Sequence, residues 1–363
     1  MTDVAQHLRD IIRADGPISV AEFMRVALVG RSDSYYRRAD PLGSAGDFVT
    51  APEVSQIFGE LIGLWCADVW RQLGSPKRFN LVELGPGRGT MMKDALRAVR
   101  VVPGFLDAVS VVLVEASEAL KRLQQDALHG STVLPVTWRD RFDDIGDGPG
   151  PVIVVANEFF DALPVHQYMR TDRGWAERCI GLDADGGFVF GASTGGAVLV
   201  PSALRGAAAG AIVELSPARE AVARAAGERI VASGGAVLAI DYGFAGPATG
   251  DTLQAVAAHR FVDVLAEPGS ADLTSHVDFS ALAQALSESG ARVPPLTTQG
   301  DFLRALGAAE RVAKLQAGAA AGRAADLEAG YHRLTGAEAM GSLFKVLCAV
   351  APASLQPVGF SGS

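Results

Sequence analysis

The hydrophobic pattern of the chain changes near residue 79, and this change indicates where a sheet begins. Before it, apolar positions such as Val4, Leu8 and Ile12 keep helical spacing, which predicts a helical extension over residues 1–75. From there onward, residues 76–164 alternate short apolar runs with helical patterns, as in FNLVEL, MMKDALRAVR and VSVVLVE. Such alternation predicts βαβ units and an α/β fold with a mostly parallel sheet.

Two more segments follow this core. Residues 165–215 contain HQYMR, WAERCIGL and GGFVFGAS, which predict short antiparallel strands in a β-rich insertion. Residues 216–363 resume the alternation with a helix capped by Ser216, the strand GGAVLAIDYG, a Gly/Pro/Thr loop and a helix capped by Asp278. Ala-rich helices are predicted next, and the last apolar run, FKVLCAVAP, is predicted to be an edge or hairpin strand.

Two capping patterns predict helix starts within the extension. Ser19 with Glu22 has the spacing of a capping box ahead of an apolar helix. Thr50 with Glu53 predicts the start of one long helix, EVSQIFGELIGLWCADVWRQLG, ended by Gly74. This helix is apolar on almost every side, so we expect it to be buried.

Composition and charge exclude several classes of protein. Of the 363 residues 49% are hydrophobic and 20% charged, which excludes disorder as the main state. The net charge of −9, without a long Lys/Arg run, argues against a nucleic-acid partner and favours a basic protein or peptide. No apolar run is long enough for membrane insertion, and the start MTDVAQHLRD resembles no targeting signal, so we expect a cytoplasmic protein. The Ala-rich composition, with more Arg than Lys, indicates a bacterial source. The three cysteines lie far apart and no metal-ligand spacing occurs, so no metal site is predicted.

The strongest local signal is the glycine loop LVELGPGRGT, which joins a strand to a helix. Gly85, Gly87 and Gly89 allow a tight turn and a close approach of the backbone to a ligand. A dinucleotide fingerprint would require glycine at Thr90, and a phosphate-binding Walker loop would require a lysine that is absent. Glu83, two positions before the first glycine, suits a cationic ligand without phosphates. S-adenosylmethionine, which carries an ammonium and a sulfonium, is such a ligand.

A second acidic residue supports this cofactor. The run VVLVEAS places Glu115 at the tip of the next strand, where a carboxylate can accept hydrogen bonds from both ribose hydroxyls. The alternative for the glycines taken alone is a tight strand-to-helix turn that binds no ligand. Because Glu83 and Glu115 both stand at strand ends beside the loop, a cofactor site is the stronger interpretation.

The run PVIVVANEFFDALPV brings Asn157, Glu158 and Asp161 to the same edge of the sheet. Glu158 and Asp161 have i, i+3 spacing, so a helical turn would place both carboxylates on one face. Paired carboxylates match the fork of N–H donors of a guanidinium. The alternative is that they cap the turn by accepting backbone hydrogen bonds. Glu214, at the end of another strand, is a further candidate carboxylate for this edge.

The combination of motifs resembles a known family. GDFVTAPEVSQIFGE, LVELGPGRGT, NEFFDALPVHQY, WAER, DYG, DLTSHVDF, TQGDFL and MGSLFKVL occur in the order typical of the MidA family of S-adenosylmethionine-dependent methyltransferases. Its mitochondrial members are the arginine methyltransferase that assists assembly of respiratory complex I. The resemblance implies a class I, Rossmann-like methyltransferase fold with a seven-stranded sheet, an N-terminal helical extension and a β-rich insertion.

The resemblance also implies protein arginine methylation and a set of site residues. The implied contacts are Glu83, Gly85, Gly87, Gly89 and Glu115 for the cofactor, and Asn157, Glu158 and Asp161 for substrate and cofactor. With arginine as the implied acceptor, we expect Glu158 to hold the guanidinium, with Asp161 or Glu214 as the second carboxylate. Three functions remain open at this point. The chain could methylate an arginine of a subunit of the respiratory NADH dehydrogenase, methylate a small molecule or another acceptor, or bind the cofactor as an assembly chaperone without catalysis. Whether it forms a homodimer also stays open.

Overall fold

The computed structural model describes residues 3–37, 49–129, 135–146, 148, 150–193 and 200–360. Residues 46–48, which begin the GDFVTAPE block, lie outside this part of the chain. The α-helices are α1 Asp3–Asp15, α2 Val20–Leu28, α3 Ala51–Val54, α4 Gln56–Gln72, α5 Thr90–Ala98, α6 Phe105–Ala108, α7 Glu118–Leu128, α8 Pro217–Ser233, α9 Phe279–Glu288, α10 Gln299–Ala305, α11 Ala308–Gln316, α12 Ala321–Thr335 and α13 Met340–Leu343. The strands are β1 Ile18–Ser19, β2 Phe79–Leu84, β3 Val109–Val114, β4 Val136–Arg139, β5 Val152–Asn157, β6 His166–Thr171, β7 Gly174–Leu182, β8 Phe188–Ala192, β9 Ile212–Leu215, β10 Gly235–Phe244, β11 Gln254–Ala257, β12 Arg260–Val262, β13 Asp272–Thr274, β14 Val277–Asp278, β15 Thr297–Thr298 and β16 Phe344–Ala351.

The main sheet has the strand order β15-β16-β10-β5-β2-β3-β4, with β14 paired beside β10. The five strands from β10 to β4 are parallel, whereas β16 runs antiparallel to both β10 and β15. The order reverses between β2 and β5, and ligands of open α/β sheets bind at such a switch point, beyond the carboxyl ends of the strands. The predicted Rossmann-like, mostly parallel sheet is confirmed.

Helices cover both faces of this sheet. On one face Leu81 and Leu238 pack with Trp65 and Phe302, in a core formed with α4, α5 and the C-terminal helices. On the other face Val82 packs against α8 and α9. Because side chains alternate along a strand, continuous apolar runs such as VIVVA fill both layers at once, as expected for a parallel sheet buried on both sides.

The N-terminal extension joins the insertion in one antiparallel sheet, ordered β1-β7-β6-β9 with β8 beside β7. Ile18 pairs with Ile180 and Ser19 with Cys179. The two or three short strands expected in the insertion correspond to β6, β7 and β8, and the described residues add a fourth strand, β9. The segments 1–75 and 165–215, which are distant in the sequence, therefore share a hydrophobic core, whose members include Phe23.

The long helix predicted from Thr50 is divided at Ser55. The Ser55 side chain accepts a hydrogen bond from the backbone N–H of Ile57 and begins α4 anew, while the Thr50 side chain makes no capping hydrogen bond. The predicted continuous helix is therefore wrong at its start. Gly74, with φ +86°, follows its end as predicted.

Two other expectations need correction. The segment predicted as a Gly/Pro/Thr loop contains a three-stranded antiparallel sheet, β12-β11-β13. The run FKVLCAVAP forms β16, which pairs over eight residues with β10 and is flanked by β15, so it lies inside the sheet and not at its edge. The strands β11 (QAVA), β12 (RFV) and β13 (DLT) are only three or four residues long, too short to show a period of two in the sequence, which explains the first error.

Close helix packing explains the glycines of the FGELIG motif in α4. A Cβ atom on Gly63 would lie 2.6 Å from the Ala95 backbone of α5, and one on Gly59 would lie 2.8 Å from the Cβ of Asp94. Nearby, the buried Glu60 carboxylate accepts hydrogen bonds from Arg97 and Arg311. Among the described residues, no helix combines the length and apolar character that crossing a membrane requires.

Candidate active site

A cavity of about 560 Å³ lies at the carboxyl ends of the parallel strands, where the strand order reverses. Seven of the predicted site residues line it: Glu83, Gly85, Gly87, Glu115, Asn157, Glu158 and Asp161. Gly89 and Glu214 do not. The cavity thus brings together five of the six predicted cofactor residues and two of the three predicted acceptor carboxylates.

The glycine loop has the backbone conformation that only glycine adopts readily. Gly85, Gly87 and Gly89 have φ of +60°, +54° and +80°. A Cβ atom on Gly85 would lie 2.9 Å from the ring of Phe159, so the loop packs directly on the turn after β5. Gly89 instead begins α5 and lies against Gln124 of α7. Its role is close packing of the loop helix and not contact with the cavity.

Glu83 offers a carboxylate oxygen without a partner. Its side chain is 2% exposed, and Oε2 has no hydrogen-bond donor among the described residues. Burial raises the pKa of this carboxyl to about 8. A cationic ligand in the cavity would supply the missing donor and restore the charged form.

Glu115 is held in place by hydrogen bonds at both carboxylate oxygens. Oε1 accepts from the Ser117 backbone N–H at 2.8 Å, and Oε2 accepts from Gln124 Nε2 at 3.3 Å. Burial raises the pKa of Glu115 to about 7, although these hydrogen bonds favour the charged form. Because a carboxylate has about four acceptor positions, lone pairs remain for ligand hydroxyls.

Gln124 connects the two cofactor elements, and the sequence analysis missed it. Its Nε2 also donates to the Gly87 carbonyl at 2.8 Å, and its Oε1 accepts from Trp138 Nε1 at 2.8 Å. Gln124 is fully buried on the apolar face of α7. A glutamine at a position where the helical period requires an apolar residue was the available signal.

The turn after β5 is not the helical turn that the i, i+3 spacing predicted. It is a bend in which Glu158 has φ +49°, an uncommon conformation for a non-glycine residue. The buried Asp241 carboxylate accepts from the backbone N–H groups of Phe160 and Asp161 at 3.0 and 3.1 Å. Asp241, in the second half of β10, therefore fixes the turn, and Glu158 and Asp161 still line one cavity.

Glu158 caps a helix that is distant in the sequence and not its own turn. Oε1 accepts hydrogen bonds from the Ala51 backbone N–H at 2.8 Å and from Asn157 Nδ2 at 3.1 Å, so it caps α3. No described residue donates to Oε2. Burial raises the pKa of Glu158 to about 7, and the nearby Asp161 charge acts in the same direction. One oxygen thus holds the carboxylate in position while the other stays available to a ligand.

Glu214 lies apart from the cavity. Its carboxylate accepts hydrogen bonds from Gln167 Nε2 and from the backbone N–H and hydroxyl of Thr252. These contacts connect the insertion to the loop before β11. Glu214 is therefore not carried forward as the second acceptor carboxylate.

Buried oxygen atoms that accept no hydrogen bond indicate which kind of ligand the cavity can bind. Glu83 Oε2, Asn157 Oδ1 and Asp161 Oδ1 are buried, line the cavity and accept no hydrogen bond from the described residues. Buried polar atoms are almost always hydrogen-bonded, so a ligand that brings several donors is the expected partner. No group of three His, Cys, Asp or Glu side chains suited to a metal occurs within the described ranges.

Comparison with known proteins agrees with this geometry. Residues 61–297 match a protein family described as "Putative S-adenosyl-L-methionine-dependent methyltransferase". The chain is 36% identical to the mitochondrial protein arginine methyltransferase NDUFAF7 of Danio rerio, over 94% of this chain and 85% of that protein. It is 37% identical to the human protein of the same name, over 85% of this chain and 74% of that protein.

A solved structure extends the likeness to the whole fold. A Burkholderia thailandensis protein, crystallised with S-adenosyl-homocysteine, superimposes with a TM-score of 0.84 at 27% identity and covers 99% of this chain and 93% of that one. The fold, the position of the cavity and the sequence matches lead to one assignment. The chain belongs to this family of S-adenosylmethionine-dependent methyltransferases and has their class I fold.

Proposed function

We propose that the chain transfers the methyl group of S-adenosylmethionine to an arginine side chain of a protein. The observation that carries the proposal is the acidic wall beside the cofactor residues, where Glu158 Oε2 and Asp161 Oδ1 face the cavity without a donor. The names of the curated relatives, protein arginine methyltransferase, support the same acceptor. A guanidinium supplies donors in the fork geometry that such carboxylates bind.

The cofactor half of the cavity fits S-adenosylmethionine. Glu83 would accept from the ammonium group, and Glu115 from the ribose hydroxyls, while Gly85 and Gly87 of the glycine loop line the same cavity. S-adenosylmethionine supplies the methyl group from its sulfonium. Gln124 would hold Glu115 and the Gly87 carbonyl in their relative positions.

In this proposal Glu158 binds the guanidinium of the acceptor arginine. By accepting N–H donors from two nitrogens of a guanidinium, it localises the lone pair of the third nitrogen, which attacks the methyl carbon in line. The N–C bond forms as the S–C bond breaks, and the new methylguanidinium loses a proton from that nitrogen. Little acid–base chemistry is needed, so alignment and electrostatics supply most of the rate enhancement.

The backbone conformation of Glu158 fits this role. A non-glycine residue at φ +49° costs on the order of 1–3 kcal/mol and persists only where surrounding contacts hold it. Here the hydrogen bonds from Ala51, at the start of α3, and from Asn157 hold the side chain. Such strain is commonly found at functional sites, and it orients Oε2 before the acceptor binds.

We infer that the protein substrate is a subunit of the bacterial respiratory NADH dehydrogenase, as the family resemblance implies. The chain would bind this subunit in the cytoplasm. The net charge of −9 and the acidic wall suit a cationic segment of the partner. Mass spectrometry of these subunits from cells with and without the gene tests this. A methylarginine that depends on the gene is the expected result.

Two other results would contradict the proposal. Methyl transfer to a small molecule with unmodified subunits would favour the alternative acceptor. A second result would favour an assembly chaperone: the chain methylates no acceptor, and Glu158→Gln leaves both cofactor binding and dehydrogenase assembly intact.

A further inference from the structure

An exposed aromatic side chain stands on a hairpin that adjoins the cavity. Strands β11 and β12 form this hairpin, and Phe261 on β12 is 76% exposed. Single exposed apolar residues are common at protein surfaces, so exposure alone assigns no role to Phe261. Its position relative to the cavity distinguishes it from the others.

The strand register places Phe261 on the sheet face that continues into the cavity. Val256 of β11 is paired on one side with Phe261 and on the other with Asp272 of β13. Residues directly opposite each other in antiparallel strands share a face, so these three side chains point the same way. Asp272 lines the cavity, where it accepts a hydrogen bond from the Tyr36 hydroxyl at 2.8 Å, and Thr274 on the same face lines it too. Phe261 therefore lies two strands from the cavity wall, at a Cα separation of about 10 Å.

This row of side chains passes from the buried wall to an apolar rim. Asp272 and Val256 are buried, whereas Phe261 is largely exposed. Arg260 and Val262, the neighbours of Phe261 in β12, point to the opposite face, since side chains alternate along a strand. The aromatic ring alone thus represents β12 on the face that leads into the cavity.

The turn of the hairpin keeps Phe261 in place at a conformational cost. Its two central residues, Ala258 and His259, have φ of +48° and +60°, in the left-handed region. Two-residue turns of this kind favour Asn-Gly and similar pairs, because most other residues adopt the left-handed conformation with difficulty. Unfavourable backbone conformations that persist are concentrated where the position of a segment matters for function.

We propose that Phe261 and the adjoining face of the three-stranded sheet bind the segment of the protein substrate next to the acceptor arginine, through an apolar side chain of that segment. This inference rests on the proposed function. An extended chain advances about 3.3 Å per residue, so a separation of about 10 Å corresponds to about three residues. The acidic cavity binds the guanidinium, and Phe261 selects an apolar residue at about the third position from the arginine.

Two features favour this occupant over a second copy of the chain. The face is continuous with the cavity, so a protein whose arginine enters the cavity passes close to Phe261. The chain also carries a net charge of −9, so two copies repel each other whereas a segment with a cationic arginine is attracted.

Peptide binding to the full chain saturated with S-adenosylhomocysteine tests this surface. The probes are fluorescein-labelled glycine peptides with a central arginine and either leucine or serine at the third position on both sides. We expect the leucine peptide to bind about tenfold more tightly than the serine peptide, because only leucine buries apolar surface against the ring. Phe261→Thr, which retains a residue suited to a strand, should abolish this difference.

Val101→Thr is the matched control, because Val101 is as exposed as Phe261 and lies outside the cavity wall. It should keep the full preference for leucine, and neither variant should change the affinity for S-adenosylhomocysteine. A measurement on the parent chain decides should Phe261→Thr not fold. A photoreactive benzoylphenylalanine at the third position of the peptide should crosslink to residues 260–262, and crosslinks to other segments alone would overturn the surface.

Equal affinity of the leucine and serine peptides for the parent chain would overturn the surface, as would an unchanged preference in Phe261→Thr. A parent chain that sediments as a dimer, with Phe261→Thr as a monomer, would also overturn it, because the ring would then join two copies. A leucine peptide with glutamine in place of arginine separates this inference from the proposed function. Equal affinity of the glutamine and arginine peptides would contradict the proposed function, whereas the preference for leucine and its loss in Phe261→Thr report on the surface alone.

Discussion

The Glu158 carboxylate accepts a hydrogen bond from the Ala51 backbone N–H, 2.8 Å away, across 107 residues of sequence. The residue that follows β5 thereby caps the short helix α3, which lies at the edge of the cavity. In the same helix Glu53 accepts a hydrogen bond from the hydroxyl of Thr90, the first residue of α5. Helix α3 therefore connects the acceptor carboxylate to the helix that follows the glycine loop.

This geometry predicts that Glu158→Gln separates catalysis from binding. Glutamine keeps an oxygen for the Ala51 N–H but removes the charge that holds a guanidinium. We expect methyl transfer to fall about a hundred- to a thousandfold, with the affinity for S-adenosylmethionine nearly unchanged. Turnover kinetics and calorimetry measure the two effects.

Glu220→Gln is the control for that variant, because Glu220 is also half-buried but lies outside the cavity wall. It should retain its turnover. A Glu158→Gln protein that lost cofactor binding, or lost thermal stability while keeping its activity per folded molecule, would show that Glu158 is a cofactor or capping residue.

Glu115→Ala should weaken binding of S-adenosylmethionine without unfolding the chain. Loss of a charge-assisted contact costs on the order of 1.5 to 3 kcal/mol, which corresponds to about a ten- to hundredfold weaker affinity. Glu118→Ala, three residues away on the exposed side of α7, serves as the comparison because its carboxylate pairs with Lys121 and does not line the cavity. Calorimetric affinities within twofold of each other for the two variants would place Glu115 outside the cofactor site.

Glu83 makes both stability and cofactor binding depend on pH. Its pKa is raised from 4.5 to about 8 by burial, so between these pH values the folded chain keeps a proton that the unfolded chain has lost. The free energy of unfolding therefore contains a contribution from Glu83 that falls as pH rises through this window. Urea denaturation at pH 5.5 and 7.5 should show a smaller fall in the Glu83→Gln variant than in the parent.

The same shift predicts that cofactor binding releases a proton. An ammonium beside Glu83 favours the ionised carboxylate, so at neutral pH the group must lose its proton when the cation binds. Binding enthalpies measured in buffers of different ionisation enthalpy count the protons released. The Glu83→Gln variant should release fewer protons than the parent, and an equal count in both would remove Glu83 from the ammonium site.

Gly63→Ala should destabilise the fold, because its Cβ would lie 2.6 Å from the Ala95 backbone. Overpacking of this kind costs about 1–3 kcal/mol in the free energy of unfolding. Gly322→Ala is the matched change in helix α12, where an added Cβ meets no atom within 4 Å. It should be neutral or stabilise by up to about 1 kcal/mol, since alanine has the higher helix propensity. Urea denaturation of both variants checks the difference, and equal stabilities would refute the close packing of α4 on α5.

The sequence by itself determined the parts of this protein that depend on local pattern. Alternating apolar runs and helical periods located β2, β3, β5, α5, α7 and α8, because burial on both faces of a parallel sheet imposes those runs. The glycine loop with Glu83 and Glu115 was predictable for a related reason. Strand ends of a parallel sheet meet at one edge, so acids at successive strand ends lie near one ligand.

Only the tertiary structure decided which distant side chains meet. The i, i+3 spacing of Glu158 and Asp161 indicated a helical turn, but Asp241 from another strand holds the segment in a bend. Glu214 stands at a strand end as the pattern required, yet its strand belongs to the insertion sheet and lies away from the cavity. Tyr36 carries no local signature of a ligand-binding residue. Its contact with a carboxylate 236 residues away arises from long-range packing, which hydrophobic periodicity does not encode.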